Sequence, residues 1–303
     1  MSAFDIVVVG GGPAGLTAAI YARRANKTVL VIEKDTLGGQ ITSSPKVENI
    51  PGFPALSGNE FAEKLLDQAL AQGAEIDSAC VTGVRPEKDG FAVLTDAGER
   101  KGRSVILATG SKHRALGLPG EEERIGAGVS FCAVCDGAFY QGAPVAVVGG
   151  GNSALQEALL LSDLASSVTV VQDLDFLTGE EALQKQLAAR PNVSVVTGAR
   201  VVGYLGDGAL TGLLVRKTAT GEETVVPCEG AFLAIGLLPQ NEPFADLIAL
   251  DERGYAASGE DCKTAVPGLF VAGDCRRKSV RQVVTAAADG AAAALAACAF
   301  LKK

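Results

Sequence analysis

Two stretches of this 303-residue chain, offset by 139 residues, share one architecture. Asp5 to Glu33 reads as an apolar strand (Ile6 to Val9), the loop Gly10-Gly11-Gly12-Pro13-Ala14-Gly15, a helix, and a second strand from Thr28 to Ile32. Pro144 to Gln172 repeats it without a gap: strand Val145 to Val148, loop Gly149-Gly150-Gly151-Asn152-Ser153-Ala154, a helix, and strand Val168 to Val171. A lone G-x-G-x-x-G is weak evidence for a ligand. Two copies, each set between a strand and a helix, predict an α/β fold with two Rossmann-like, three-layer dinucleotide-binding domains.

The chemistry asks for glycine at these positions. Gly10 and Gly149 make the tight turn, Gly12 and Gly151 let backbone amides reach a pyrophosphate, and Gly15 or Ala154 lets helix and strand pack closely. The anion then sits at the positive end of the helix. The first copy ends in Glu33, an acceptor for ribose hydroxyls that suits the adenosine half of FAD or NAD. The second ends in Gln172-Asp173-Leu174-Asp175. No Arg or Lys stands there to meet a 2'-phosphate, and Asp173 or Asp175 would repel one, which favours NADH over NADPH.

Linker signals fall at Leu116-Gly117-Leu118-Pro119-Gly120 and at Leu238-Pro239-Gln240-Asn241-Glu242-Pro243, and the second copy lies wholly between them. The expected first domain is therefore discontinuous, 1–115 plus 244–303, with the second, 116–243, inserted. A net charge of -8 disfavours nucleic acid as a partner. The longest apolar run, Ala291 to Leu301, falls short of the roughly 18 residues of a membrane span, so no membrane contact is expected. Met1 to Asp5 lacks the basic region of a signal peptide, and the expected location is cytoplasmic.

Seven cysteines in that compartment read as mostly reduced, buried thiols. Cys132 and Cys135 stand apart: a C-x-x-C near beta-alpha-beta units reads as a redox dithiol. Zinc would need two more ligands, and the chain has no second C-x-x-C and one histidine, so no metal is expected. Asp136, next in sequence, reads either as a carboxylate carrying protons for the thiols or as a cap before Gly137. His113, in a polar stretch, reads as a solvated linker residue. Two short apolar strands close on Thr109-Gly110 and Ile235-Gly236. A third, Leu269 to Ala272, ends in Gly273-Asp274, where Asp274 can accept a hydrogen bond from a polyol. An Ala-rich helix follows from about Arg281 to Phe300, its positive end suited to negative charge on a reduced isoalloxazine. Cys275 is expected near the same region.

These motifs resemble, in order and over essentially the whole chain, the low-molecular-weight thioredoxin reductases: Gly10 to Gly15, Gly38-Gly39-Gln40, Glu48-Asn49-Ile50-Pro51-Gly52-Phe53, Ala108-Thr109-Gly110, Cys132 to Gly137, Gly149 to Ala154, and Gly273-Asp274 with Arg281-Gln282. The resemblance implies a homodimer whose outer domain holds FAD and whose inserted domain carries the dithiol and, usually, NADPH. The FAD residues it implies are Gly10, Gly12, Pro13, Ala14, Gly15, Glu33, Gly39, Gln40, Asn49, Thr109, Gly110, Asp274, Arg281 and Gln282. Those of a second nucleotide are Gly149, Gly151, Asn152, Ser153 and Ala154. It also implies that Cys135 faces the flavin, that Cys132 attacks the disulfide of thioredoxin or a thioredoxin-like protein, and that Asp136 donates the proton. The family's cationic 2'-phosphate residues fall here on Gln172, Asp173, Leu174 and Thr178, and its glutamate pair is reduced to Gln156-Glu157. A similar loss occurs in relatives that take electrons from ferredoxin, so NADH, NADPH and reduced ferredoxin all stand as donors. A flavoprotein sensor of the same fold without turnover is the alternative.

Overall fold

The computed structural model describes residues 3–44 and 47–302. The chain forms two compact units, one made of 1–45, 50–112 and 238–303 and the other of 46–49 and 113–237. It begins in the first with β1 (Phe4–Val9), α1 (Pro13–Arg24), β2 (Val29–Glu33), α2 (Gly58–Ala71), β3 (Glu75–Ser78), β4 (Val81–Glu87), β5 (Gly90–Thr95) and β6 (Gly98–Leu107). It leaves along β7 (Ser111–His113) and builds the second from β8 (Val129–Ser130), α3 (Ala133–Asp136), β9 (Pro144–Val148), α4 (Asn152–Ser162), β10 (Ser167–Val171), α5 (Glu181–Ala188), β11 (Val193–Val196), β12 (Ala199–Leu205), β13 (Gly212–Lys217), β14 (Glu223–Pro227) and β15 (Gly230–Leu233). It returns through β16 (Leu237–Pro239) and closes with β17 (Leu269–Val271) and α6 (Val283–Phe300).

Each unit is a parallel sheet with an antiparallel flap. In the first, the sheet runs β3-β2-β1-β6, with β17 on the far side of the second half of β6 and β5-β4 antiparallel on its first half. In the second, the parallel order is β11-β10-β9-β15-β8, and β12-β13-β14 form a separate antiparallel sheet. The two parallel orders are equivalent except for chain order: β17 follows its neighbours, whereas β8 precedes them. That permutation places Phe131-Cys132 after β8 at the topological position that Gly273-Asp274 holds after β17. Both lie at the carboxyl edge of a parallel sheet, where open α/β folds bind ligands.

The strands of both sheets are buried on both faces, so they read as continuous Val and Ile runs rather than alternating ones. Helix α1 starts at an extended Gly12 with Pro13 as its first residue, a position whose missing N–H costs no hydrogen bond, and Arg23 and Arg24 face the negative end. Ser57 caps α2 by accepting from Glu60 N–H at 3.0 Å.

Helix α6 differs from the expectation that no apolar run reaches membrane length. Its 18 residues have a mean hydropathy of 1.7, long and apolar enough to cross a bilayer. One face of it, with Ala286, Ala293, Ala294 and Ala297, packs into the core that includes α1, and Gly290 lets its backbone press against Ala14. Asp289, within it, takes two hydrogen bonds from the Arg276 guanidinium at 2.7 and 2.8 Å and one from Lys278 Nζ at 2.9 Å. Burial opposes charge on Asp289, and those two cations outweigh it, holding the carboxyl below its ordinary range. The pair ties the loop after β17 to α6.

Candidate active site

In the first unit the residues of the first glycine loop converge with segments far away in sequence. Gly10 has a φ of 109°, and a Cβ there would overlap the Ala108 carbonyl at the end of β6, so only glycine fits this turn. Gly38 N–H donates to Gly11 O at 2.8 Å, which lays Gly39 against Gly12. Glu33 accepts from Gly11 N–H at 2.6 Å and Asp35 N–H at 2.8 Å, so it braces the loop while each oxygen keeps a lone pair for a hydroxyl. Gly273 lies on Ala14, bringing Asp274 to the same edge. Thr109 Oγ1 is 3.4 Å from Asn241 Oδ1, whose amide donates to Cys275 O at 2.7 Å. Cys275 itself is wholly buried, and burial pushes its thiol up, so it is a packing residue.

Other expected residues are placed differently. Gln282 caps α6 through a reciprocal pair with Thr285, and Gln40 is exposed on the turn after Gly39. Asn49 falls in the segment 46–49 of the second unit. Arg281 stacks 4.2 Å over the Tyr255 ring.

The second glycine loop repeats the first in backbone but not in side chains. Gly149 has a φ of 126°, with Ala234 O only 2.5 Å from where a Cβ would be, and Ala154 is fully buried. Ser153 is exposed, and Gly151 opens α4. Asn152 is engaged by Glu180, donating to its Oε1 at 2.9 Å and accepting from its N–H at 2.7 Å. Gln172 is buried with its amide against Gly150 and its Nε2 3.4 Å from Phe176 O. What faces solvent at this strand end is Asp173, Leu174, Asp175 and Phe176.

Cys132 and Cys135 form a disulfide at the start of α3. Cys132 is the N-cap, and its Sγ accepts from Cys135 N–H at 3.2 Å, a donor that would stabilise a thiolate at that sulfur. Asp136 is buried and does not cap the turn. Ser130 Oγ donates to its Oδ2 at 2.7 Å and accepts from Cys132 N–H at 3.0 Å. Burial raises the Asp136 carboxyl, and the Ser130 hydrogen bond offsets part of that.

A family model for pyridine nucleotide-disulphide oxidoreductases matches residues 4–290. The thioredoxin reductase of Listeria monocytogenes is 40% identical over 288 residues, covering 95% of this chain and 90% of its own length. A bifunctional thioredoxin reductase/thioredoxin of Mycobacterium leprae is 40% identical over 294 residues, 96% of this chain and 64% of its own. The crystal structure of thioredoxin reductase from Streptococcus pyogenes is 37% identical with a TM-score of 0.93, covering 99% of this chain and 98% of the other. The chain belongs to the low-molecular-weight thioredoxin reductases.

It is thus an FAD-dependent disulfide reductase of a family that uses a pyridine nucleotide. The residues around Gly10 suit such a flavin nucleotide. Asp274 Oδ1 and Arg281 Nε are buried with no hydrogen-bond partner, an acceptor and a donor left for a polar ligand. A Cβ at Gly12 or Gly110 would meet almost nothing, leaving room for close backbone approach.

Two residues beside the dithiol were not among the expected site residues, although Glu157 stood in the Gln156-Glu157 pair noted above. Ser130 is one. Glu157 on α4 is the other: it accepts from Ala133 N–H, its Oε2 is buried without a partner, and burial pushes its carboxyl up to about 7. His113 corrects the reading of it as a solvated linker residue. It stacks on Phe131 at 4.8 Å and 22°, and burial brings its pKa down to about 4, so the only histidine is neutral at pH 7.

Proposed function

We propose that this reductase uses Cys132, Cys135 and Asp136 to reduce the disulfide of thioredoxin or a thioredoxin-like protein, with NADH as donor. The observation that carries the chemistry is the disulfide whose Cys132 sulfur receives the Cys135 amide, beside a buried carboxyl. Bound FAD supplies the two-electron carrier for reducing this pair. Once reduced, the Cys132 thiolate attacks a partner sulfur. A Cys132–partner bond forms, the partner disulfide breaks, and the departing sulfur takes a proton from Asp136. Cys135 then attacks Cys132, regenerating the disulfide and releasing the second partner thiol. Thioredoxin as partner is supported by the fusion of the two in the Mycobacterium leprae relative.

In this reading FAD is held in the domain formed by 1–115 plus 244–303. Its ligands are Gly10 to Gly15, Glu33, Gly39, Thr109–Gly110, Asp274 and Arg281, with Gln40 and Gln282 at its edges. The domain 116–243 takes the donor nucleotide on Gly149, Gly151, Asn152, Ser153 and Ala154, and the active form is a homodimer. Asp173 and Asp175 are exposed where a 2'-phosphate would lie, and Gln172 is turned beneath the loop, which favours NADH over NADPH. One observation favours a second reading. Glu180, tied to Asn152, puts a carboxylate at the first turn of α4, where a pyrophosphate would otherwise sit, which suits reduced ferredoxin as donor. Anaerobic titration of the flavin absorbance with each donor tests this. Bleaching by NADH at low concentration is expected, and bleaching by NADPH at equally low concentration refutes the reading of the acidic strand end. Gel filtration with light scattering tests the homodimer.

A further inference from the structure

Ser130 precedes the dithiol by two residues and belongs to no motif in the chain, yet it is the only side chain that hydrogen-bonds Asp136 among the described residues. It is 4% exposed at the end of β8, and its O–H takes Asp136 Oδ2 as the near acceptor, with Cys132 O farther off at 3.5 Å. It donates to Asp136 Oδ2 at 2.7 Å and accepts the Cys132 amide at 3.0 Å. Asp136 Oδ1, by contrast, is buried without any partner. The two carboxyl oxygens are therefore inequivalent. Of the two oxygens of a protonated carboxyl the carbonyl oxygen is the better acceptor, so the Ser130 O–H held on Oδ2 favours the proton on Oδ1.

We propose that Ser130 is a positioning residue of the disulfide exchange, fixing the Asp136 carboxyl so that Oδ1 bears the transferable proton and tying that carboxyl to the backbone of Cys132. This rests on the assignment of Asp136 as the proton donor. In the step, the Cys132 thiolate bonds to one partner sulfur, the partner S–S bond breaks, and the leaving sulfur takes the proton from Oδ1. Cys132 is oxidised and the partner sulfur reduced. The carboxylate that remains is stabilised by the Ser130 O–H, so the hydrogen bond strengthens as the proton leaves, and the acid is made stronger when it acts. The Cys132 amide held by the same oxygen keeps the acid and the nucleophile in one rigid turn.

The leaving group supplies a test that general loss of structure would not imitate. An alkyl thiolate is basic and needs a proton to depart, whereas an aromatic thiolate is a weak base and departs without one. Holoenzyme is reduced with dithionite, freed of reductant, and mixed in single turnover with 2-hydroxyethyl disulfide or with 5,5'-dithiobis(2-nitrobenzoate) across a range of pH. Wild type should lose rate toward the alkyl disulfide as pH rises through the Asp136 ionisation. Ser130→Ala should move that fall up by about one pH unit and slow the alkyl reaction below it about tenfold, the worth of one charge-assisted hydrogen bond. Its rate with the aromatic disulfide should fall far less than its rate with the alkyl one. In an Asp136→Asn background, where the fall is absent, Ser130→Ala should have no further effect on the alkyl reaction. Equal slowing of both probes by Ser130→Ala, or an unmoved pH profile in a variant that keeps its FAD, overturns the proposal for Ser130 while leaving Asp136 as donor. Persistence of the fall in Asp136→Asn overturns the Asp136 assignment itself. Ser130→Thr, which keeps the hydroxyl, should restore the wild-type profile; if Ser130→Ala yields no FAD-bound protein, failure of Ser130→Thr to differ from Asp136→Asn in the alkyl profile overturns the proposal instead.

Discussion

Replacing Glu157 by Gln should make the protein gain stability relative to wild type as pH rises from acidic to alkaline. Glu157 is a carboxyl held against Ala133 N–H, with its other oxygen buried and without a partner, and burial pushes it from 4.5 up to about 7. The folded state therefore holds a proton that the unfolded chain releases near 4.5. The stability linked to that proton is fully present below pH 4.5 and is lost as pH rises to about 7. At about 1.4 kcal/mol per pH unit, the loss amounts to about 3 kcal/mol above pH 7. Gln keeps an acceptor for the Ala133 amide and never ionises, so it escapes this loss. Thermal unfolding of the oxidised holoprotein at pH 4.5, 6 and 8 should show the Tm of the variant rising relative to wild type, by about 5 °C at pH 8. His113, with a pKa lowered to about 4, and Asp136 are common to both proteins and cancel in the difference. A Tm difference independent of pH would refute the argument, because it would mean that Glu157 ionises as freely in the folded protein as in the unfolded one.

Other outcomes follow from the same geometry. Cys132→Ser and Cys135→Ser should each abolish catalytic disulfide turnover and leave FAD bound, read from the flavin absorbance of the purified variants; turnover in either would sink the dithiol assignment. Gly10→Ala, which drives a Cβ into Ala108 O, should cost the protein its flavin. Gly149→Ala should keep the flavin yet lose its reduction by NADH, because the turn it breaks belongs to the other loop. Asp289→Ala strands Arg276 and Lys278 in the core and should destabilise by about 3–5 kcal/mol in denaturant unfolding. A change under 1 kcal/mol would show that water replaces the carboxylate there.

The repeated loops were legible because their constraints are local. A turn with positive φ, a Pro at the first helical position and a strand buried on both faces each leave a mark within a few residues. The C-x-x-C was legible for the same reason, since a spacing of three can close a small disulfide. The parts played by Ser130, Glu157 and His113 were not, although Glu157 stood in a noted pair, because what matters about each is who its neighbour is. Ser130 becomes a partner of Asp136 only when α3 turns back over the end of β8, and Glu157 meets Ala133 only when α4 packs on α3. His113 stands among Lys112 and Arg114 in sequence, yet the fold slides it onto Phe131.

The donor site shows the boundary from the other side. That no cation follows β10 is a fact of composition, visible from Gln172 to Asp175. That Gln172 turns under Gly150, and that Glu180 grips Asn152, depends on how the segment 176–180 folds back across the glycine loop. The sequence by itself determined the two dinucleotide folds and the cysteine pair that closes a disulfide, because backbone geometry and covalent spacing act over short range. Only the tertiary structure decided which carboxyls are buried, which oxygen of Asp136 has no partner, and that one face of α6 packs on α1 with a buried ion pair beside it. Burial and desolvation are properties of the packed whole, and they set the acid strengths on which this chemistry depends.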